Sequence, residues 1–437
     1  MLLTSRAAAA AAIGALGTGR AALDGLLDQA GPRGLGTFVA VRVAEGAAPL
    51  DTLSNVLGDP VALTGLHALR RARSDLGVKP RILCAPGFTA LRPADGLASI
   101  AVTAGGSGYA AAPPVTVEPP PEGGVTAKAV ATVTGGAVVA ITLLNPGAGY
   151  TAPPAVTIGG PGTGAVAVAV VGTVANPVAV ELAALARRLR ATAPVATAGT
   201  SAAAAFAYRQ DFDTDRLFIL DPWVKVFREG AVVAEPADAR VAGLISAVSL
   251  EEGFWVSPSN HVVQGVIGLG RPIEHDLSDP SVESQYLNSV EVAALVRSPS
   301  GGFKLWGNRV PSSDPLKAFL SVRRAHDVII DSIEAANEWA VDRPFSKQLL
   351  LDLAETVNAA LRHWRARGAT LGGRVWYDPD LNTAESMAAG RLFVHYDAEG
   401  PAPLERITFV FNRNTGYYDE LIGEAAREVA RLAVSGV

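Results

Sequence analysis

The chain has a single cysteine, Cys84, in 437 residues. No intrachain disulfide can form, and a two-cysteine redox pair or a cysteine-rich zinc site is excluded. Cys84 stands in the apolar run Arg81-Ile-Leu-Cys-Ala-Pro86 and reads as a buried structural thiol rather than a nucleophile. Charge is scarce too: 18% of residues are Asp, Glu, Lys or Arg, and the formal net charge is −5. A dedicated nucleic-acid binder would carry a basic face, so no nucleic-acid partner is expected. No unbroken apolar run reaches the ~18 residues of a membrane helix, so no membrane insertion is expected. The start, MLLTSRAAAAAAIGALG, has one early cation before a weakly hydrophobic Ala run, and reads as a helix rather than a secretory signal.

Motifs for chemistry are equally thin. The histidines at 67, 261, 275, 326, 363 and 395 show no metalloprotease or alternating spacing; His326 and His363 read as helix-surface residues. No nucleophile elbow and no Walker A sequence occurs. Gly14-Ala-Leu-Gly17-Thr-Gly19 has the wrong spacing for a dinucleotide loop and no strand before it, so a turn between helices is expected. Asp378-Pro-Asp380-Leu-Asn382 opens like a calcium loop, but Thr383 replaces the turn glycine and Ala389 fills the twelfth position. Turn hydrogen bonds suit it better. Asp211, Asp213 and Asp215, beside Arg209 and Arg216, read as local ion pairs around a turn. No catalytic, cofactor or metal site is expected, and no enzyme.

What is present is apolar residue, at 49%, in a chain long enough for two or three domains. Helices are expected over 4–12, 20–29 and 61–74, with buried strands at 37–43 and 81–85. From about 98 to 176 charge almost vanishes and an internal repeat appears. Ile100 to Tyr109 matches Ile141 to Tyr150, and the match continues through Pro113/Pro154, Val115-Thr116-Val117/Val156-Thr157-Ile158 and Gly123/Gly164. Alternating apolar residues with Gly-rich turns predict a two-repeat β module, with Tyr109 and Tyr150 exposed in its turns. Beyond it, a helix over 178–190, strands at 218–220 and 224–227 and a helix over 239–249 restore the α/β pattern.

Two long helices are expected over 315–340 and 345–366. Val322, Ala325, Ile329, Ile333, Ala336 and Ala340 form the apolar stripe of the first; Leu349, Leu350, Leu353, Val357, Leu361 and Trp364 form that of the second. Strands at 374–377, 391–396 and 405–412 and an amphipathic tail over 417–434 complete the chain. The fold class is α/β (α+β): a layered core over 1–97 and 177–299, interrupted by the β module 98–176, and a C-terminal α+β domain over 300–437.

Within the last domain a strand-like run ends at Trp306-Gly307-Asn308-Arg309. A polar turn, Ser312-Ser313-Asp314-Pro315, follows, and Val322-Arg323-Arg324 opens the helix. This order resembles the C-terminal domain of contractile tail sheath proteins of myophages, R-type tailocins and injection systems. Weaker likenesses run from Leu2-Leu3-Thr4-Ser5 through Ala207-Tyr208-Arg209, Asp221-Pro222-Trp223-Val224, Gly268 to Ile273 and Leu287-Asn288, then on to Asn382-Thr383 and Ala389-Gly390-Arg391-Leu392.

The resemblance implies a structural subunit that polymerises helically with itself around an inner tail tube. It would meet baseplate and tail terminator proteins, and contract to drive the tube through a cell envelope. It implies a virion or tail-like particle, assembled in the bacterial host cytoplasm. Such proteins carry an N-terminal arm of roughly forty residues before the segment equivalent to Leu2–Ser5, with some latitude in length. Here Met1 stands at that segment, so a later start, a shortened chain or a different assembly is expected. In the family the arm and a C-terminal extension add strands to a neighbour's sheet. Ile407, Phe409 and Phe411 alternate as such a strand would, and equally as a strand of the domain's own sheet. Arg362, Arg365 and Arg367 at the end of the second long helix complement its dipole or face an acidic tube. The alternative is a surface or carbohydrate-binding protein acting through residues 98–176, with Tyr109 and Tyr150 stacking on sugars.

Overall fold

The computed structural model describes residues 2–3, 6–14, 17–32, 34 and 36–434. Thr4 and Ser5 of the expected first helix, and Ala15 and Leu16 of the glycine turn, lie outside them. The chain divides into one unit over Met1–Pro403 and a second over Leu404–Val437.

The N-terminal region pairs β1 (Leu2–Leu3) with β2 (Phe38–Val39), and between them lie α1 (Arg6–Ile13) and α2 (Thr18–Leu27). The strand expected over 37–43 is thus two residues long. Next come α3 (Pro49–Leu57), a 3-10 turn over Gly65–Arg71, and α4 (Ala72–Leu76), where one helix was expected. The run 81–85 forms no strand, only a bridge from Ile82 to Thr192.

Six strands follow: β3 (Gly96–Ser107), β4 (Val115–Val117), β5 (Lys128–Thr134), β6 (Ala137–Asn145), β7 (Val156–Ile158) and β8 (Thr163–Gly172). The repeat makes β6 the counterpart of β3 and β7 that of β4, but apart from an isolated bridge between Pro114 and Val130 the strands do not pair within a copy. Instead β3 pairs with β8, β5 with β6, and β4 with β7, all antiparallel. Thr116 faces Thr157, its own repeat mate, which places a local two-fold axis between them. The bulged residues obey the same symmetry: Ala98 and Thr103 in β3, Val139 and Leu144 in β6. So do the hydrogen bonds Tyr109 N to Gly136 O (3.0 Å) and Tyr150 N to Asp95 O (2.9 Å). Leu97, Ile100, Val138 and Ile141 fill a core of the module's own.

Tyr109 and Tyr150 belong to that core, at 3% and 2% exposure. The expectation that they stand exposed is wrong. Close glycines drive the rings inward: a Cβ on Gly162 would lie 2.5 Å from the Tyr109 ring. The Tyr150 hydroxyl accepts the Ala127 N–H at 2.8 Å.

The next segment is α5 (Pro177–Leu189), β9 (Ala193–Ala196), α6 (Ala202–Gln210), β10 (Leu217–Asp221), β11 (Val224–Arg228), β12 (Ala231–Glu235), α7 (Asp238–Glu251), β13 (Gly268–Leu269), α8 (Glu283–Ser289), β14 (Val292–Arg297) and β15 (Phe303–Trp306). Asn176 starts α5: its side chain accepts the Val178 and Ala179 N–H groups at 2.9 Å, and Pro177 fills the first position. The main sheet runs β15-β14-β10-β9, with β9, β10 and β14 parallel and β15 antiparallel. Every residue of β10 is buried, as a strand covered on both faces requires. Leu217 and Ile219 join one core with Leu182 and Leu185 of α5; Phe218 and Leu220 join another with Val241 and Ile245 of α7. Alternation along the strand therefore builds three layers. A small sheet, β12-β11-β13, lies outside the main one.

The C-terminal part of the first unit holds α9 (Leu320–Ala336), α10 (Lys347–Ala366), β16 (Gly372–Trp376), α11 (Ala384–Ala388) and β17 (His395–Glu399). The helix expected over 315–340 is α9 with a 3-10 turn on either side. Its stripe packs only as far as Ile333; Ala336 is exposed. Ile329 and Ile333 meet Val357 and Leu361 of α10, and the antiparallel pair β16–β17 adds Val375 and Tyr396.

In the second unit, residues 404–414 run outside any ladder, and α12 (Tyr417–Val434) follows. Among the described residues, the expected strand over 405–412 joins no ladder.

Candidate functional site

The motif from Trp306 to Arg324 is a joint where the chain leaves the main sheet and enters α9. Gly307 has φ 128°, and a Cβ there would lie 3.0 Å from the Ala293 Cα on the neighbouring strand. Asn308 then ties sheet to helix: its amide donates to Ser321 Oγ at 2.9 Å, and its carbonyl accepts the Leu320 N–H at 2.9 Å. The Arg309 guanidinium lies 5.0 Å over the Phe319 ring, and Lys304 lies 4.9 Å over Trp306. Ser312 Oγ accepts from the Asp314 N–H at 3.3 Å. Asp314 accepts the Leu316 N–H at 3.0 Å and pairs with Lys317 at 2.9 Å, with Pro315 opening the turn. The Leu316 N–H and Lys317 hold the Asp314 carboxyl below its ordinary value, the Lys317 hydrogen bond most.

Beyond the joint, Asp327, Asp331 and Glu334 form an acidic row on α9 at helical spacing. Asp327 accepts Arg216 Nη1 at 2.5 Å and Arg323 Nη2 at 2.8 Å; Arg216 and Asp327 are 4% and 3% exposed. Arg323 also reaches Asp215 at 3.2 Å. Asp331 collects three cations: Lys79 at 2.7 Å, Arg81 at 2.9 Å and Arg190 at 2.7 Å. Burial raises the Asp331 carboxyl, but hydrogen bonds from Lys79 and Arg190 and the charge of Arg81 outweigh it and lower its pKa. Arg190 continues to Glu334 at 2.5 Å. Arg324 is buried beside Arg81 with a hydrogen bond to Ser249 at 2.8 Å, and burial pulls its pKa down to about 10. The row locks α9 to the sheet layers. A buried pair of this kind adds little net stability, but breaking one partner is expensive, so the lock fixes geometry.

Of the aspartates expected to pair around their own turn, Asp215 does so, with Arg216 at 3.6 Å; the others find long-range partners. Asp211 accepts from Arg92 at 2.6 Å, Asp213 from Ser313 at 2.7 and 2.8 Å, and Arg209 donates to Glu291 at 2.6 Å. Sequence distance concealed these partners. His326 is half-buried rather than on the surface, with its pKa lowered by burial. His363 is exposed. Cys84 is half-buried, and burial pushes its thiol up to about 12, so it is inert at neutral pH. Around the apparent calcium loop, Asp378 Oδ1 accepts the Asp380 N–H at 2.9 Å and its carbonyl accepts Asn382 Nδ2 at 2.9 Å.

At the end of α10, Arg362 pairs with exposed Glu355, while Arg367 stacks 5.6 Å over Trp364 and 5.9 Å over Trp255. Arg365 is exposed. In the second unit Ile407, Phe409 and Phe411 are 58%, 88% and 90% exposed.

Two protein families divide this framework between them. Residues 159–310 match the phage tail sheath protein central domain, and residues 312–413 match the phage tail sheath C-terminal domain. The boundary between the matches falls inside the joint. The chain belongs to the contractile tail sheath family. A prophage major tail sheath protein of Pseudomonas aeruginosa is 37% identical to the sheath chain over 227 residues, covering 52% of it and 58% of the relative. The tail sheath protein of Burkholderia phage BcepMu is 37% identical over 239 residues, covering 52% and 50%. The chain thus spans 50–58% of the length of these relatives. Among solved structures, the PVC sheath complex of an extracellular contractile injection system, in its contracted state, aligns with TM-score 0.46 and 19% identity over 52% of this chain and 65% of that one. The helical sheath of the anti-feeding prophage, also contracted, aligns with TM-score 0.46 and 20% identity over 54% and 66%. A carbohydrate-binding role finds no support: the relatives named above are tail sheath proteins, and both tyrosines that would carry it are buried.

Proposed function

We propose that the chain is a structural, non-catalytic subunit that polymerises helically around an inner tube and contracts to drive that tube through a cell envelope. The observation that carries this reading is the pair of sheath-domain matches, in family order, meeting at the joint. The acidic row supports it mechanically. A subunit that rotates as a rigid body needs its layers fixed to one another, and Asp327 and Asp331 clamp α9 to residues 79–81, 190 and 216. The inner tube, baseplate and terminator proteins are its proposed partners, in a particle assembled in the host cytoplasm.

Residues 405–412 are read as a strand donated to a neighbouring copy, with Ile407, Phe409 and Phe411 entering its pockets. Their exposure and their lack of a ladder among the described residues support this. Arg362, Arg365 and Arg367 are read as a tube-facing group, and the β module as an outward decoration between the core segments 1–97 and 177–299. The test is negative-stain electron microscopy of the purified chain alone and with a contractile-tail tube. Rings or tubes of regular helical repeat are expected; a chain that stays monomeric on the tube sinks the reading. Density placing the module against the tube overturns its position.

A further inference from the structure

Arg70, Arg71, Arg73, Lys79 and Arg188 ring a cleft of about 420 Å3, floored in part by Leu69 and Leu189. Arg70, Arg71 and Arg73 come from the 3-10 turn with α4, Lys79 from the loop after α4, and Arg188 from the C-terminal end of α5; the 3-10 turn and α5 pack on the same core. Three are engaged: Arg70 donates to the Pro60 carbonyl at 2.9 Å, Arg71 pairs with Asp75 at 3.0 Å, and Lys79 with Asp331 at 2.7 Å. Arg73 and Arg188 are exposed and have no partner among the described residues. The cleft therefore keeps an excess of positive charge over an apolar floor. One lining residue, Lys79, is also a partner of Asp331 on α9.

One segment of the chain has the complementary character. The first two turns of α12 carry Asp419, Glu420 and Glu424 with no base among them. Beside them runs an apolar stripe that includes Leu421 and Ile422, 62% and 67% exposed. An amphipathic helix with an acidic flank fits an apolar groove with a basic rim. We propose that the start of α12 from a second copy of this chain docks in the cleft, Glu420 and Glu424 facing Arg73 and Arg188. The contact is heterologous, tail of one copy to core of the next, and such contacts propagate into an open helix. The proposal rests on the polymer reading above and adds to it a contact made by the helix beyond the donated strand.

The test uses the full chain in three variants: Arg73→Glu with Arg188→Glu, Glu420→Lys with Glu424→Lys, and all four changes together. Assembly is followed by sedimentation velocity and electron microscopy at low and high salt, with circular dichroism to confirm folding. Each reversed pair is expected to raise the critical concentration about tenfold, and the fourfold variant to recover most of that loss. Should a reversed variant misfold, the Gln versions of the same positions are expected to shift assembly the same way by less. Polymer whose critical concentration ignores these charges, or a fourfold variant no better than its parents, overturns the docking and leaves the polymer reading standing. A wild-type chain that forms no oligomer at any concentration overturns both.

Discussion

At Gly307 the backbone occupies a region that side chains seldom adopt, and the next strand leaves no room for a Cβ. Gly307→Ala is expected to destabilise by about 2 kcal/mol or more, read from urea unfolding. Asp327 poses a different problem. Asp327→Asn leaves buried Arg216 with only its longer pair to Asp215 at 3.6 Å, and a loss of about 3 kcal/mol is expected. The Trp306-to-Arg324 motif was legible in the sequence because its members are neighbours along the chain. Asp327 was not, since its partner Arg216 lies 111 residues away. Asp238 gives a pH signature. Burial pushes its carboxyl up to about 7, opposed in part by the Ala239 N–H and Thr89. The folded protein then holds this proton more tightly than the unfolded chain, where the carboxyl titrates near ~4. Its contribution to stability is present below that value and is lost as pH rises toward 7. The gap in melting temperature between Asp238→Asn and wild type is expected to widen in favour of the variant from pH 5 to pH 8.

Elements were legible where periodicity was long. The helices α5, α7 and α10 were readable close to their bounds because their apolar stripes face a core. The strands β9 and β14 were missed: a short apolar run signals burial but does not say which ladder it joins. For the same reason the runs at 37–43 and 81–85 shrank to two residues and a bridge. In the β module the repeat was plain from sequence, whereas the exchange of strands between copies was not, because alternation is silent about partners. Tyr150 tests that core. Tyr150→Phe removes one buried hydrogen bond and is expected to lose about 1 kcal/mol, while Tyr150→Ala, which also leaves a cavity, is expected to lose about 3–5 kcal/mol. Near-equal losses in calorimetry would mean the ring is not packed as described.

On the scale of the whole molecule, the module enters and leaves at one place, where the Val174 N–H donates to the Pro93 carbonyl at 2.9 Å. Excision of residues 95–173 with a short Gly/Ser linker is therefore expected to leave the three layers folded, seen as a cooperative melt. Stability is expected to fall, since Val125 and Ala148 belong to the main core and Asn145 donates to the Pro177 carbonyl at 3.0 Å. An unfolded product would make the module part of the layered core rather than an addition to it.

The two-fold pattern of the module has a bearing on its origin. A single repeat cannot close a ladder alone, because its first strand needs the last strand of the other copy. Two separate half-length chains could close it by embracing, but only at concentrations that bring them together. Fusing them in tandem makes that embrace an event within one molecule, with the tether supplying the encounter. A repeat doubled in tandem thus turns a dimer into a domain.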